Sequence, residues 1–145
     1  MKFFKLFLLL FLALQINSEQ SKNILFVGNS YLYYNNSVHN YVEPMLKEHY
    51  GSEVETKLSA IGGSKLYHHN IDHLLNPKNL NLDQQIDLLI MQGGSTEVIS
   101  VKDQKNFIQT AKEYATKAQN LGVNTALYMT HDYTKADSRF EANLI

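Results

Sequence analysis

The chain has no cysteine among its 145 residues. That excludes a thiol nucleophile, a cysteine-held metal and a disulfide framework. It has no basic run either, and its 13 Lys and Arg against 14 Asp and Glu leave a formal charge of −1. Nucleic acid and anionic membrane are therefore not expected as partners. Internal repeats and low-complexity linkers are absent. Neither Gly-x-Gly-x-x-Gly nor Gly-x-x-x-x-Gly-Lys-Ser/Thr occurs, which counts against a nucleotide-binding α/β domain. The unbroken apolar run Leu6–Leu14 is too short for a bilayer span, which takes roughly 20 apolar residues. It follows Lys2 and Lys5 and gives way to a polar-rich segment from Gln15 to Gln20, the layout of a secretory signal peptide. Cleavage is expected near Ser18. The protein is then secreted or extracytoplasmic, without membrane attachment after cleavage, and residues 19–145 are left to form one small domain.

Within those residues apolar runs alternate with helical patterns. Asn23 to Val27 reads as a buried strand. Val38, Tyr41, Val42, Met45, Leu46 and His49 fall at helical spacing behind a capping Ser37. Pro44 is expected to kink that helix or to mark its start, and Gly51 to end it. Glu53 to Leu58 alternates like a half-exposed edge strand. Lys65 to Leu75 reads as a short helix stopped by Asn76-Pro77, and Ile86 to Met91 as a second buried strand. Ser100 and Asp103 open the clearest helix. Its apolar face is Phe107, Ile108, Ala111, Tyr114, Ala115, Ala118 and Leu121, with Gly122 at its stop. Val123 to Met129 is expected to be a third buried strand, and 137–145 begins another helical pattern at which the chain ends. Strand–helix–strand repetition with short joints implies an α/β fold, a mostly parallel sheet with helices on both faces. Its C-terminal part is expected to be missing.

Ligands of such sheets bind beyond the carboxyl ends of the strands. The loops expected there are Gly28-Asn29-Ser30, Ile61-Gly62-Gly63-Ser64, Gln92-Gly93-Gly94-Ser95 and Thr130-His131-Asp132. A hydroxyl beside glycine-rich backbone is the equipment of acyl transfer, because a residue without Cβ lets its N–H approach a developing oxyanion. The bland alternative is that Gly-Asn-Ser is an ordinary turn.

Gly28-Asn29-Ser30 after Ile24-Leu25-Phe26-Val27 resembles the nucleophile block of the SGNH (GDSL-type) hydrolases. Leu25 to Asn36 is similar to the "LFIGNSYTYYNN" opening of some members, and Leu89 to Ser95 to a "QGxS" variant of the third block known from carbohydrate-acetyl esterase relatives. The resemblance spans roughly residues 23 to 135. It implies a three-layer α/β/α, flavodoxin-like sandwich and an esterase acting on small acyl or acetylated carbohydrate esters, without a cofactor. It implies Ser30 as nucleophile and an oxyanion hole from the N–H groups of Ser30 and Gly63 (less so Gly62), with Gln92 as side-chain donor. Asn29, Tyr31 and His131 would lie at the substrate rim.

The chain departs from the family in one respect. The Asp-x-x-His block that supplies the base is nowhere in the sequence, since Asp132 and Asp137 are followed three residues later by Lys135 and Phe140. Without its base such a serine keeps only a residual rate, so the expected state is near-inactivity. The rival reading is a non-catalytic descendant that binds a carbohydrate or similar ligand. His131, with Asp132 as its sequence neighbour, is a poor substitute base by position. His68, His69, His73 and Asp72 invite a metal reading, but no His-Glu-x-x-His accompanies them and no metal is expected. Asn35-Asn36-Ser37 is an N-glycosylation sequon. The acyl group, the alcohol and the oligomeric state are not readable.

Overall fold

The computed structural model describes residues 23–51, 53–97 and 99–130. The expected signal peptide and the helical pattern at 137–145 lie outside them. The elements run β1 (Asn23–Gly28), α1 (Ser30–Tyr33), α2 (Val38–Tyr50), β2 (Glu55–Ala60), α3 (Ile71–Leu74), β3 (Leu88–Met91), α4 (Val101–Gln119) and β4 (Asn124–Leu127). Single 3-10 turns occupy Leu66–His68 and Pro77–Leu80.

The four strands pair in the order β2-β1-β3-β4, all parallel. Every residue of β1 is buried, as suits a central strand of an α/β sheet. Its side chains divide by pleat. Ile24 and Phe26 face Leu32 and the half-buried Val38, Val42 and Leu46 of α2. Leu25 and Val27 face the larger core built with Leu66, Ile71, Leu89, Met91, Ala111, Tyr114 and Ala118. Helices therefore cover both faces, the layering that the resemblance implied.

Register then gathers the site. Gly28 pairs with Ala60, and Val27 with Met91, which pairs with Leu127. The loops leaving these carboxyl ends therefore emerge on one rim. The chain passes from β1 to β2 on one side and to β3 on the other, so the reversal of strand order falls between β1 and β3, where such sheets bind ligands.

Several expectations need correction. β2 starts two residues later than its alternation suggested, because the ladder to β1 runs through to Gly28 and Ala60. The segment 65–75 is not one helix. His69 is extended at φ −90° and ψ 137°, its carbonyl is taken by the Tyr114 hydroxyl at 2.6 Å, and Asn70 caps a fresh turn. α2 neither begins at Pro44 nor stops there, and Tyr41 and Met45 are exposed rather than packed. Ser37 stands at the N-cap position but makes no cap bond; its hydroxyl donates to Tyr33 O at 3.3 Å. β4 is not a buried strand. It has one neighbour and forms the sheet edge among the described residues, leaving Leu127 58% and Met129 80% exposed.

Ser100 does cap α4, accepting from Asp103 N–H and donating to its carboxylate. Ala111, Tyr114 and Ala118 make its buried stripe, with Phe107 and Ala115 partly buried beside it, whereas Ile108 and Leu121 face out. On the opposite face, Thr56 N–H and Oγ1 reach Glu43 Oε2 at 2.9 and 2.8 Å and Lys47 reaches Oε1 at 2.6 Å, tying α2 to β2.

The turn into α2 holds Asn35, Asn36 and Ser37 at φ 52°, 67° and 66°. Asparagine tolerates this region, but Ser37 combines it with ψ 135°, where an L side chain is strained. Ser37→Gly is expected to raise the unfolding free energy by about 1 kcal/mol, measured from the urea midpoint at unchanged slope.

Candidate active site

Asn29 organises the rim. It is only 3% exposed and every polar group it carries toward its neighbours is used. Its backbone N–H donates to Gln92 Oε1 at 3.0 Å, and its Oδ1 accepts Tyr31 N–H at 3.1 Å, capping α1. Its Nδ2 donates to Ser64 O at 3.2 Å and to Gly93 O at 3.3 Å. One amide thus joins the loops after β1, β2 and β3. The expected rim residue Asn29 is instead a buried cross-brace, and the sequence signal was present: a short amide at a tight strand-to-helix turn is a natural cap.

Gly28 makes room for this. A Cβ there would lie 2.6 Å from Gln92 Oε1 and 2.8 Å from Leu32 Cδ1. Gln92 is 1% exposed, with its Oε1 fixed on Asn29 and its Nε2 donating to Gly93 O. An amide nitrogen carries two hydrogens, so among the described residues one Nε2–H of Gln92 stays uncommitted. Gly63 sits at φ 68°, and no described residue accepts its N–H or that of Ser30. A Cβ at position 63 would meet nothing within 4 Å, so the backbone angle, not space, is what favours glycine there.

Ser30 opens α1 beyond the end of β1 and is half-buried, with Tyr31 beside it. A cleft of about 640 Å³ that Tyr31 shares, but that Ser30, Gly63 and Gln92 do not line, is also lined by Tyr34, Asn35, Val38, Tyr41, Tyr128, Met129 and Thr130. It falls within the roughly 300–1,000 Å³ of small-molecule sites. His131 lies outside the described residues, directly after the last of these.

Sequence reasoning missed Ser64, His69, Glu97 and Tyr114 as a supporting shell. Ser64 Oγ donates to Gly28 O at 3.2 Å and lies 3.2 Å from His69 Nε2. Lys65 pairs with Asp103, binding the second loop to the start of α4, and Glu97 accepts Gly94 N–H in the third loop. Burial holds the His69 imidazole below its usual pKa and raises the Tyr114 phenol. His69, one of the histidines considered for a metal, is thus buried against a hydroxyl. Among the described residues no three His, Cys, Asp or Glu are grouped to hold a metal ion, and no helix is long and apolar enough to cross a membrane.

The fold of the chain is shared with solved structures. A protein from Desulfitobacterium hafniense DCB-2 described as lipolytic and of the G-D-S-L family superposes with a TM-score of 0.55 at 16% identity, covering 83% of this chain and 66% of its own. The acetyl xylan esterase AlAXEase gives a TM-score of 0.55 at 17% identity, with 81% and 64% covered. The chain therefore has the α/β fold of these proteins and spans somewhat under two thirds of their length. No protein-family model matches the sequence, and the comparison with curated proteins finds no match.

The geometry yields two expectations. Asn29→Ala should cost about 2–3 kcal/mol by unfolding, since it strands Ser64 O, takes one of two donors from Gly93 O and removes a cap. Asn29→Asp should cost at least as much at pH 7, because a carboxylate oxygen would face those carbonyls. Protonation supplies the second. Since His69 is held below its usual pKa in the fold, the unfolded chain takes up its proton first as pH falls. Its stabilising contribution is complete above about 6.5 and declines on acidification through the folded-state pKa. Glu43 acts lower. Burial raises its pKa, but hydrogen bonds from Lys47 and Thr56 outweigh that and bring it from 4.5 to about 2. Its contribution is lost between those values. Denaturant midpoints measured against pH should show a first decline near 6.5 that is absent in His69→Gln.

Proposed function

We propose that the chain is the catalytic-serine portion of an exported SGNH-type esterase acting on small acyl or acetylated carbohydrate esters. The observation that carries this reading is the position of Ser30: beyond the end of β1, at the reversal of strand order, cross-braced by Asn29 to the loops of Gly63 and Gln92. In the reaction the Ser30 hydroxyl oxygen attacks the ester carbonyl. The N–H groups of Ser30 and Gly63 and the free Nε2–H of Gln92 stabilise the oxyanion. The Ser30 proton passes to the departing alkoxide through the base that an Asp-x-x-His block would supply, the alcohol leaves to give an acyl-Ser30, and water then hydrolyses that ester. The tyrosine-lined cleft supports a sugar-bearing alcohol, since tyrosine offers an apolar ring face with a polar tip. The similarity in fold to an acetyl xylan esterase supports the same substrate class, and the signal-like residues 1–18 support export.

The absence of Asp-x-x-His favours one rival, a descendant that keeps the cleft and binds a carbohydrate without turning it over. Hydrolysis of a chromogenic acetyl ester, assayed on the full product of the reading frame, separates the two. Turnover that disappears in Ser30→Ala is expected; turnover unchanged by that substitution removes Ser30 from the mechanism. For the 145-residue chain alone only residual turnover is expected, a loss on the order of 10³-fold or more against a product that carries the base.

A further inference from the structure

Ser64 follows Gly63 directly and is held at both its carbonyl and its hydroxyl. Its carbonyl accepts Asn29 Nδ2 at 3.2 Å, and its hydroxyl lies 3.2 Å from both Gly28 O and His69 Nε2. A hydroxyl has one hydrogen, and a carbonyl can only accept. The geometry assigns that hydrogen to Gly28 O, which also accepts Ile61 N–H at 3.1 Å, and the imidazole is then the donor, with its proton on Nε2. The other ring nitrogen agrees, because Nδ1 is buried with no partner among the described residues and there carries only a lone pair. The ring cannot drift, being 5% exposed with its own carbonyl anchored by the Tyr114 hydroxyl at 2.6 Å. The chain from α4 through His69 and Ser64 thus ends on the backbone that carries the Gly63 N–H.

We propose that His69 is a positioning residue: its Nε2–H, acting through the Ser64 hydroxyl, fixes the Gly63 N–H against Ser30. The role rests on the esterase reading, whereas the clamp itself is measurable without catalysis. Ser64 N–H donates to Ile61 O at 3.0 Å, closing the Gly62-Gly63 turn, so its hydrogen exchange reports whether the turn is held.

The experiment compares the whole chain with His69→Leu, which keeps bulk without a donor, and His69→Gln, whose Nε2 reaches about as far as the imidazole's. Ser64 amide exchange is expected to quicken about tenfold in His69→Leu, the loss of one buried hydrogen bond, and to return to within about threefold of the parent in His69→Gln. Equal exchange in all three overturns the proposal, as does His69→Gln behaving like His69→Leu. If His69→Leu does not fold, ring nitrogen shifts of the parent chain decide: a proton on Nδ1 overturns it, and one on Nε2 supports it. In the full reading-frame product, His69→Leu should lower kcat with KM little changed. Ser30→Ala should leave the exchange unaltered. An intact exchange pattern without any Ser30-dependent hydrolysis defeats the esterase reading and leaves the clamp standing.

Discussion

The Asn29 side chain makes one surface out of three loops that have no contact in sequence. Each loop follows a different strand, and a loop by itself would sample many positions at a cost in order of about 1–2 kcal/mol per residue. The amide satisfies two carbonyls and a backbone N–H at once, and its own N–H is received by Gln92. Because these groups are buried, the alternative to the network is unpaired polar atoms rather than hydration. The bonds therefore carry more weight than their number suggests.

Everything near Ser30 depends on that brace. Gly28 is small so that Gln92 can lie against it, and Gln92 is buried so that it can receive Asn29. Ser64 is drawn under Gly28 and rests on His69. Lys65 with Asp103 and Glu97 with Gly94 extend the support into α4 and the third loop. The hydroxyl and amide groups left over, Ser30, Gly63 N–H and one Nε2–H of Gln92, face a fixed frame. For the proposed acyl transfer such a frame is an advantage, since donors already in place need not reorganise when charge develops.

Strand positions, the parallel order of the elements and the Ser100–Asp103 start of α4 were legible because buried strands and amphipathic helices write their period into the residues. The errors fall where context overrode pattern. Val123 to Met129 is as apolar as a central strand, yet among the described residues β4 has one neighbour and leaves Met129 out. Lys65 to Leu75 has helical content, but His69 is extended, with its carbonyl taken by Tyr114 from a distant helix and its ring against Ser64 of the preceding loop. The turn at Asn29 was legible, though the burial of its side chain was not.

What the sequence determined alone is the inventory: an apolar run that ends in Gly28-Asn29-Ser30, glycine loops after two further strands, no cysteine, and no Asp-x-x-His. These follow from residue identity and spacing, which need no partner. The tertiary structure decided which polar groups are spent and which remain. Asn29 and Gln92 look alike in the chain as exposed amides at loop starts. Packing turned both inward: carbonyls of two other loops converge within reach of the Asn29 nitrogen, and the Gln92 oxygen receives the Asn29 N–H.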